Sequence, residues 1–118
     1  MMFQLICFAT AVICLGLFCV LLISPGLYVG LYAQPDAGAT FMGRRAAPIF
    51  LGLAVLLFVL RDTPPGTLRD AVAFGMAATW AGIALTGIWS YGMGQASYAI
   101  LVAAGIELAM AAAFVIAR

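Results

Sequence analysis

One acid and two arginines are the residues of this chain whose type and placement could do chemistry. Glu107 sits near the middle of the largely apolar stretch Ser97–Arg118, and Arg44 and Arg45 stand just before another apolar run, Ala46–Leu60. A charge at bilayer depth costs about 2.5–3.5 kcal/mol on insertion scales, so such residues mark a site by default. A carboxylate near a guanidinium can form an ion pair, hold an anionic headgroup or small ligand, or carry a proton. It supplies acid–base groups but no nucleophile with an activating base, which makes an intramembrane enzyme the least favoured class. No residue is assigned a catalytic role.

The missing residue types narrow the chemistry further. The chain has no His and no Lys. That excludes His-ligated haem, a lysine Schiff base, a Ser-His-Asp triad and His-containing zinc sites. Cys7, Cys14 and Cys19 all fall in the first hydrophobic segment, at spacings of seven and five that match no metal motif. They read as small polarizable packing residues. No metal and no cofactor is expected. A net charge of +1 without clustered basic residues argues against a nucleic-acid partner.

What positions the three charged residues follows from composition. Of 118 residues, 67% are hydrophobic and only 8% charged, with a mean hydropathy of +1.22. Soluble domains carry about 25% charged and about 45–50% apolar residues. The bilayer must therefore be the solvent, and residues 1–118 form a single integral membrane domain.

Four spans are expected. Phe3–Ile23 is a continuous apolar run without the basic start or small-x-small site of a signal peptide, and Ser24-Pro25-Gly26 ends it. Leu27–Ala33, with Tyr28 and Tyr32 four residues apart, reads as a short interfacial helix or turn. The run Ala46–Leu60 alone would make a helix of about 22 Å against a hydrocarbon core of about 30 Å. The second span must begin earlier, with Asp36 or Thr40 as N-cap, and is placed at about 41–61. Pro48 deprives the Arg44 carbonyl of its helical donor and is expected to kink that helix. Arg61-Asp62 and Arg69-Asp70 read as solvated loop charges, and Thr67-Leu68-Arg69-Asp70 as a capping box opening a third span at about 68–89. Ser97 is expected to cap the fourth, at about 98–117. The result is an all-α, four-helix transmembrane bundle running up-down-up-down.

Faces follow from helical spacing. Ala71, Gly75, Thr79, Gly82 and Thr86 form a stripe on the third span, read as a packing face of small residues rather than the lining of a substrate path; Trp80 reads as a packing or lipid-facing ring. Arg45 shares a face with Phe41, Pro48 and Gly52, taken as inward, and Glu107 shares one with Ala103, Ala104 and Ala111. The expected site is an ion pair of Glu107 with Arg45, or with Arg44 in its place. Three uses stay open: a pair that only fixes helix register, a polar pocket for a headgroup, ligand or proton, and a bond to a partner subunit. Arg61, Arg69 and Arg118 stand on one side against Arg44 and Arg45, or neither, on the other, which places both termini in the cytoplasm.

The Arg-rich start Gly43-Arg44-Arg45-Ala46-Ala47-Pro48, leading to Leu51-Gly52, and the acid in Gly105-Ile106-Glu107-Leu108 resemble small four-helix bacterial membrane proteins, including the DoxX-like group. The resemblance implies a bacterial cytoplasmic membrane and supplies no activity. The function expected is a non-enzymatic accessory or assembly subunit, in contact with the lipid bilayer and with a membrane-protein partner or a second copy. The alternative is a transporter or lipid- or ligand-binding module using Glu107, Arg45 and Arg44.

Overall fold

A computed structural model describes all residues, Met1–Arg118. It is all-α, with five helices: α1 (Met2–Ile23), α2 (Pro25–Gly30), α3 (Ala37–Leu60), α4 (Thr67–Gly92) and α5 (Ala99–Ala117). Four of them, all but α2, are long and apolar enough to cross a membrane. The chain is a multi-pass membrane protein. Its residues fall into two units, one of Cys7–Arg61 and one of Met1–Ile6 with Asp62–Arg118.

In the Cys7–Arg61 unit, proline and aspartate set the breaks. Pro25 opens α2 at its first turn, where the missing N–H costs no helical bond. Tyr28 and Tyr32 meet edge to face at 5.4 Å, as their four-residue spacing allows. Asp36 then takes an extended conformation, and its side chain accepts from the Ala39 N–H at 2.7 Å, so α3 starts at Ala37. The earlier of the two expected caps is the one used. The gain is geometric: 24 residues make a helix of about 36 Å, enough to span, where 15 would not. Replacing Asp36 with alanine should lower stability by about 1 kcal/mol and speed hydrogen exchange at the Ala39 amide. The helix runs through Pro48 without a break.

α1 and α3 lie antiparallel. Arg44 near the start of α3 donates from Nε to the Leu22 carbonyl at the end of α1, at 3.1 Å. That carbonyl is one of those a helix end leaves unpaired. α3 buries Ala47, Ala54 and Leu57, while Ala11, Cys14 and Leu21 are buried on α1. Cys7 and Cys14 are buried packing residues as expected; Cys19 is exposed.

In the other unit, α4 and α5 form an antiparallel hairpin. Gly66 precedes α4 at φ 154°, a conformation that disfavours any side chain, after two prolines. Gly66, not Thr67, therefore holds the N-cap position, and no side chain caps the helix. The expected capping box does not form. Tyr98 likewise holds the N-cap position of α5, one residue later than expected for Ser97. α4 buries Ala73, Met76, Trp80 and Ala84, and α5 buries Ala104, Ala111, Phe114 and Ala117. Alanines on both sides let the backbones approach closely, which matters where lipid supplies no hydrophobic drive. A Cβ on Gly87 would come within 2.9 Å of Ile100 Cγ1.

Candidate functional site

The basic end of the α4–α5 hairpin is built from Arg118 together with Arg69 and Asp70, which the sequence assigns to solvated loop charges. Arg69 is half-buried, stacks its guanidinium 4.4 Å above the Phe3 ring, and donates from Nη2 to the Ala117 carbonyl at 3.0 Å. Arg118 lies 3.6 Å from the Asp70 carboxylate and 4.9 Å above the Phe74 ring. One cation thus completes the C-terminus of α5, and the other ties the residue that caps α5 to the first turn of α4. These contacts are a structural clasp. The correction for Arg69 has a plain cause: the chain brings the N-terminal Phe3 beneath it, which spacing along the sequence does not reveal.

Glu107 occupies the inner side of α5, half-buried, with buried Ala104 and Ala111 one turn either way. The expected face is borne out for these alanines. Contacts of Gly87 with Ile100 and of Arg69 with Ala117 set the hairpin register and place Trp80 at the level of Glu107. The Trp80 ring is a packing residue, 3% exposed, and its buried indole N–H has no acceptor.

Arg44 and Arg45 each make a contact within their own unit. Arg44 binds the Leu22 carbonyl, as described. Arg45 points along its own helix, 5.9 Å from the Phe41 ring centre. The face carrying Phe41, Arg45, Pro48 and Gly52 is exposed, not inward, because α3 buries the Ala47–Ala54–Leu57 side instead. Glu107 belongs to one unit and both arginines to the other; within their own units, none of the three meets an opposite charge.

The small-residue stripe of α4 also lies outside the hairpin contact. Gly75, Gly82 and Thr86 are exposed and Thr79 partly so, and nothing stands within 4 Å of where a Cβ would sit on Gly75, Gly82 or Gly52. The helix buries Ala73, Met76, Trp80 and Ala84, a different side of the same cylinder. The hydroxyls of the stripe turn inward on the helix itself. Thr79 Oγ1 donates to the Gly75 carbonyl at 2.9 Å, and Thr86 Oγ1 lies 2.9 Å from the carbonyls of Gly82 and Ile83. Ser90 Oγ continues the pattern onto the Thr86 carbonyl at 2.9 Å. The result is a smooth face, low in relief, with its polar groups already satisfied in lipid. No protein-family model matches the chain, and no curated protein and no solved structure matches it either.

Proposed function

We propose that this chain is a small non-enzymatic subunit of a bacterial cytoplasmic-membrane complex, acting as an accessory or assembly component. It has both termini in the cytoplasm and docks a helix of a partner membrane protein against the Gly75–Gly82 face of α4. The observation that supports this most is that face itself: small, self-satisfied in hydrogen bonds and unused by α5. Close backbone approach is the main source of helix affinity in lipid, and glycines on an outer face permit it. The orientation rests on Arg61, Arg69 and Arg118, which lie at the loop and terminus of one membrane side. The test is affinity purification from native membranes of the wild-type chain and of Gly75→Leu/Gly82→Leu, with partner recovery as the readout.

A second reading, a ligand, lipid or proton site using Glu107 with Arg44 and Arg45, is favoured by one observation. Glu107 is half-buried on a helix of membrane length and has no partner within its unit. Four helices are few for alternating access, so such a module would act as an oligomer. In proteoliposomes, Glu107→Gln should then abolish ligand or proton flux; flux equal to wild type removes this reading.

A further inference from the structure

Two polar groups in the α4–α5 hairpin each lack what the other supplies. The Trp80 indole N–H is buried with no acceptor, and the half-buried Glu107 meets no opposite charge in its unit. The hairpin contacts set them opposite one another. Arg69 meets α5 at the Ala117 carbonyl, and Gly87 lies against Ile100. These two α4 residues are separated by about five turns at 3.6 residues per turn, so one line along the helix faces α5. Trp80 precedes Gly87 by about two turns and falls within about 20° of that line. Glu107 follows Ile100 by the same interval and is displaced by the same small angle, about 20°, on α5. Because the helices are antiparallel, both steps run the same way, about 10 Å from the Gly87–Ile100 contact. They end at the middle of α4 and the middle of α5. The other ionisable residues of α4 are Arg69, Asp70 and Tyr91, all near its ends. Glu107 is the one ionisable residue of α5, with Tyr98 and Arg118 flanking the helix. No charge of the hairpin therefore stands at the level of the carboxyl.

We infer that Glu107 and Trp80 together form a proton-binding site inside the hairpin, with the indole N–H as donor to the ionised carboxyl. The ligand is the proton itself, taken from and returned to the aqueous phase. An ionised carboxylate away from water must be met by a donor, and a bond from N–H to a charged oxygen is among the strongest available. An indole N–H only donates, so it answers the ionised acid and gains nothing from the neutral one beyond a weaker bond. The arrangement in the structure, with the N–H unpartnered, is that of the protonated form. Losing the proton draws Trp80 and Glu107 into a bond that ties α4 to α5 at mid-membrane; regaining it releases that tie. The inference rests on the second reading above in taking Glu107 as a proton site, and puts Trp80 in the place of the arginines. It is independent of partner docking on the Gly75–Gly82 face.

The test uses the full chain in lipid nanodiscs, carrying Trp89→Phe at an exposed position so that Trp80 is the one remaining tryptophan. Two signals are followed from acid to alkaline pH. Infrared absorption reads the C=O stretch of the protonated Glu107 carboxyl, and ultraviolet resonance Raman reads hydrogen bonding at the Trp80 N–H. As the carboxyl band disappears, the indole band should move to its hydrogen-bonded position, with both changes sharing one midpoint. In Glu107→Gln the carboxyl band should be missing and the indole band should no longer respond to pH. A carboxyl that titrates while the indole band stays fixed overturns the inference and leaves the second reading standing. A carboxyl band that never changes overturns both, and an indole response that persists in Glu107→Gln assigns the donor to some other group. Should Glu107→Gln lose helix content by circular dichroism, the shared midpoint in the parent chain still decides, because separate midpoints also overturn the inference.

Discussion

Replacing Gly75 and Gly82 together by leucine is expected to strip the chain of its membrane partner while leaving its own hairpin intact. The two halves of that expectation have separate causes. Neither glycine has a neighbour within 4 Å of its Cβ position, so leucine meets open space within the chain and the α4–α5 contact is untouched. Leucine is also the better helix former, by roughly 0.8–1 kcal/mol per site in an exposed helix interior. On the outer face the same side chains hold any second helix away by the width of an isobutyl group. Interhelical contact in lipid depends on dispersion and close approach, so a gap of that size removes most of the attraction. Recovery of the partner should fall at least ten-fold, while helix content stays constant. Gly105→Leu, at an exposed and equally open position on α5, serves as the control and should recover the partner in full. Undiminished recovery with the double variant would mean that the α4 face is not where the partner binds.

Trp80→Ala should be the most damaging single substitution, destabilising the chain by about 3–5 kcal/mol, the range for emptying a large aromatic site in a packed interior. The ring is 3% exposed and stands between Met76 and Ala84 on the buried side of α4. Many of the other buried positions of α4 and α5 are alanines, Ala73, Ala84, Ala104, Ala111 and Ala117, whose side chains are too short to fill a large void. Trp80→Phe isolates the cause. The indole N–H is buried without an acceptor, so removing it sacrifices no hydrogen bond and relieves a desolvated donor. Phenylalanine should therefore cost under about 1.5 kcal/mol, the usual range for near-isosteric core changes. Unfolding in mixed micelles, followed by circular dichroism, distinguishes the two; a phenylalanine variant as weak as alanine would mean that the N–H has a partner after all.

The existence and number of the long helices are legible in the sequence because apolar runs of spanning length are hard to place in any other solvent. Even the start of α3 is legible: Asp36 caps it, and the length argument requires a helix that begins before Arg44. The sides on which helices meet are not. In water, a helix advertises its inner side by apolar periodicity. In lipid, both sides are apolar and the contrast vanishes, so small-residue spacing becomes the remaining guide. That guide singles out Ala71, Gly75, Thr79, Gly82 and Thr86, whereas α4 actually buries a side built on Met76 and Trp80 as well as alanine. The Phe41–Arg45–Gly52 side of α3 misleads for the same reason. The α5 side with Ala104, Glu107 and Ala111 is legible because a lone carboxylate restores the contrast. Glycine geometry explains the capping box. Thr-x-x-Asp is the right pattern, but Gly66 at φ 154° leaves Thr67 already inside the helix.

The bond from Arg44 to the Leu22 carbonyl has a consequence for how the chain enters the membrane. Synthesis delivers α1 first, and its trailing end then carries a main-chain oxygen whose donor is encoded 22 residues downstream. Until that guanidinium emerges, the first segment is an unfinished anchor, wet at one tip and free to slide along the bilayer normal. Arrival of α3 fastens the tip and sets the depth of both segments in one step. The pair would thus mature as a unit during insertion, and a nascent chain halted before Arg44 would lack the means to hold its first segment in register.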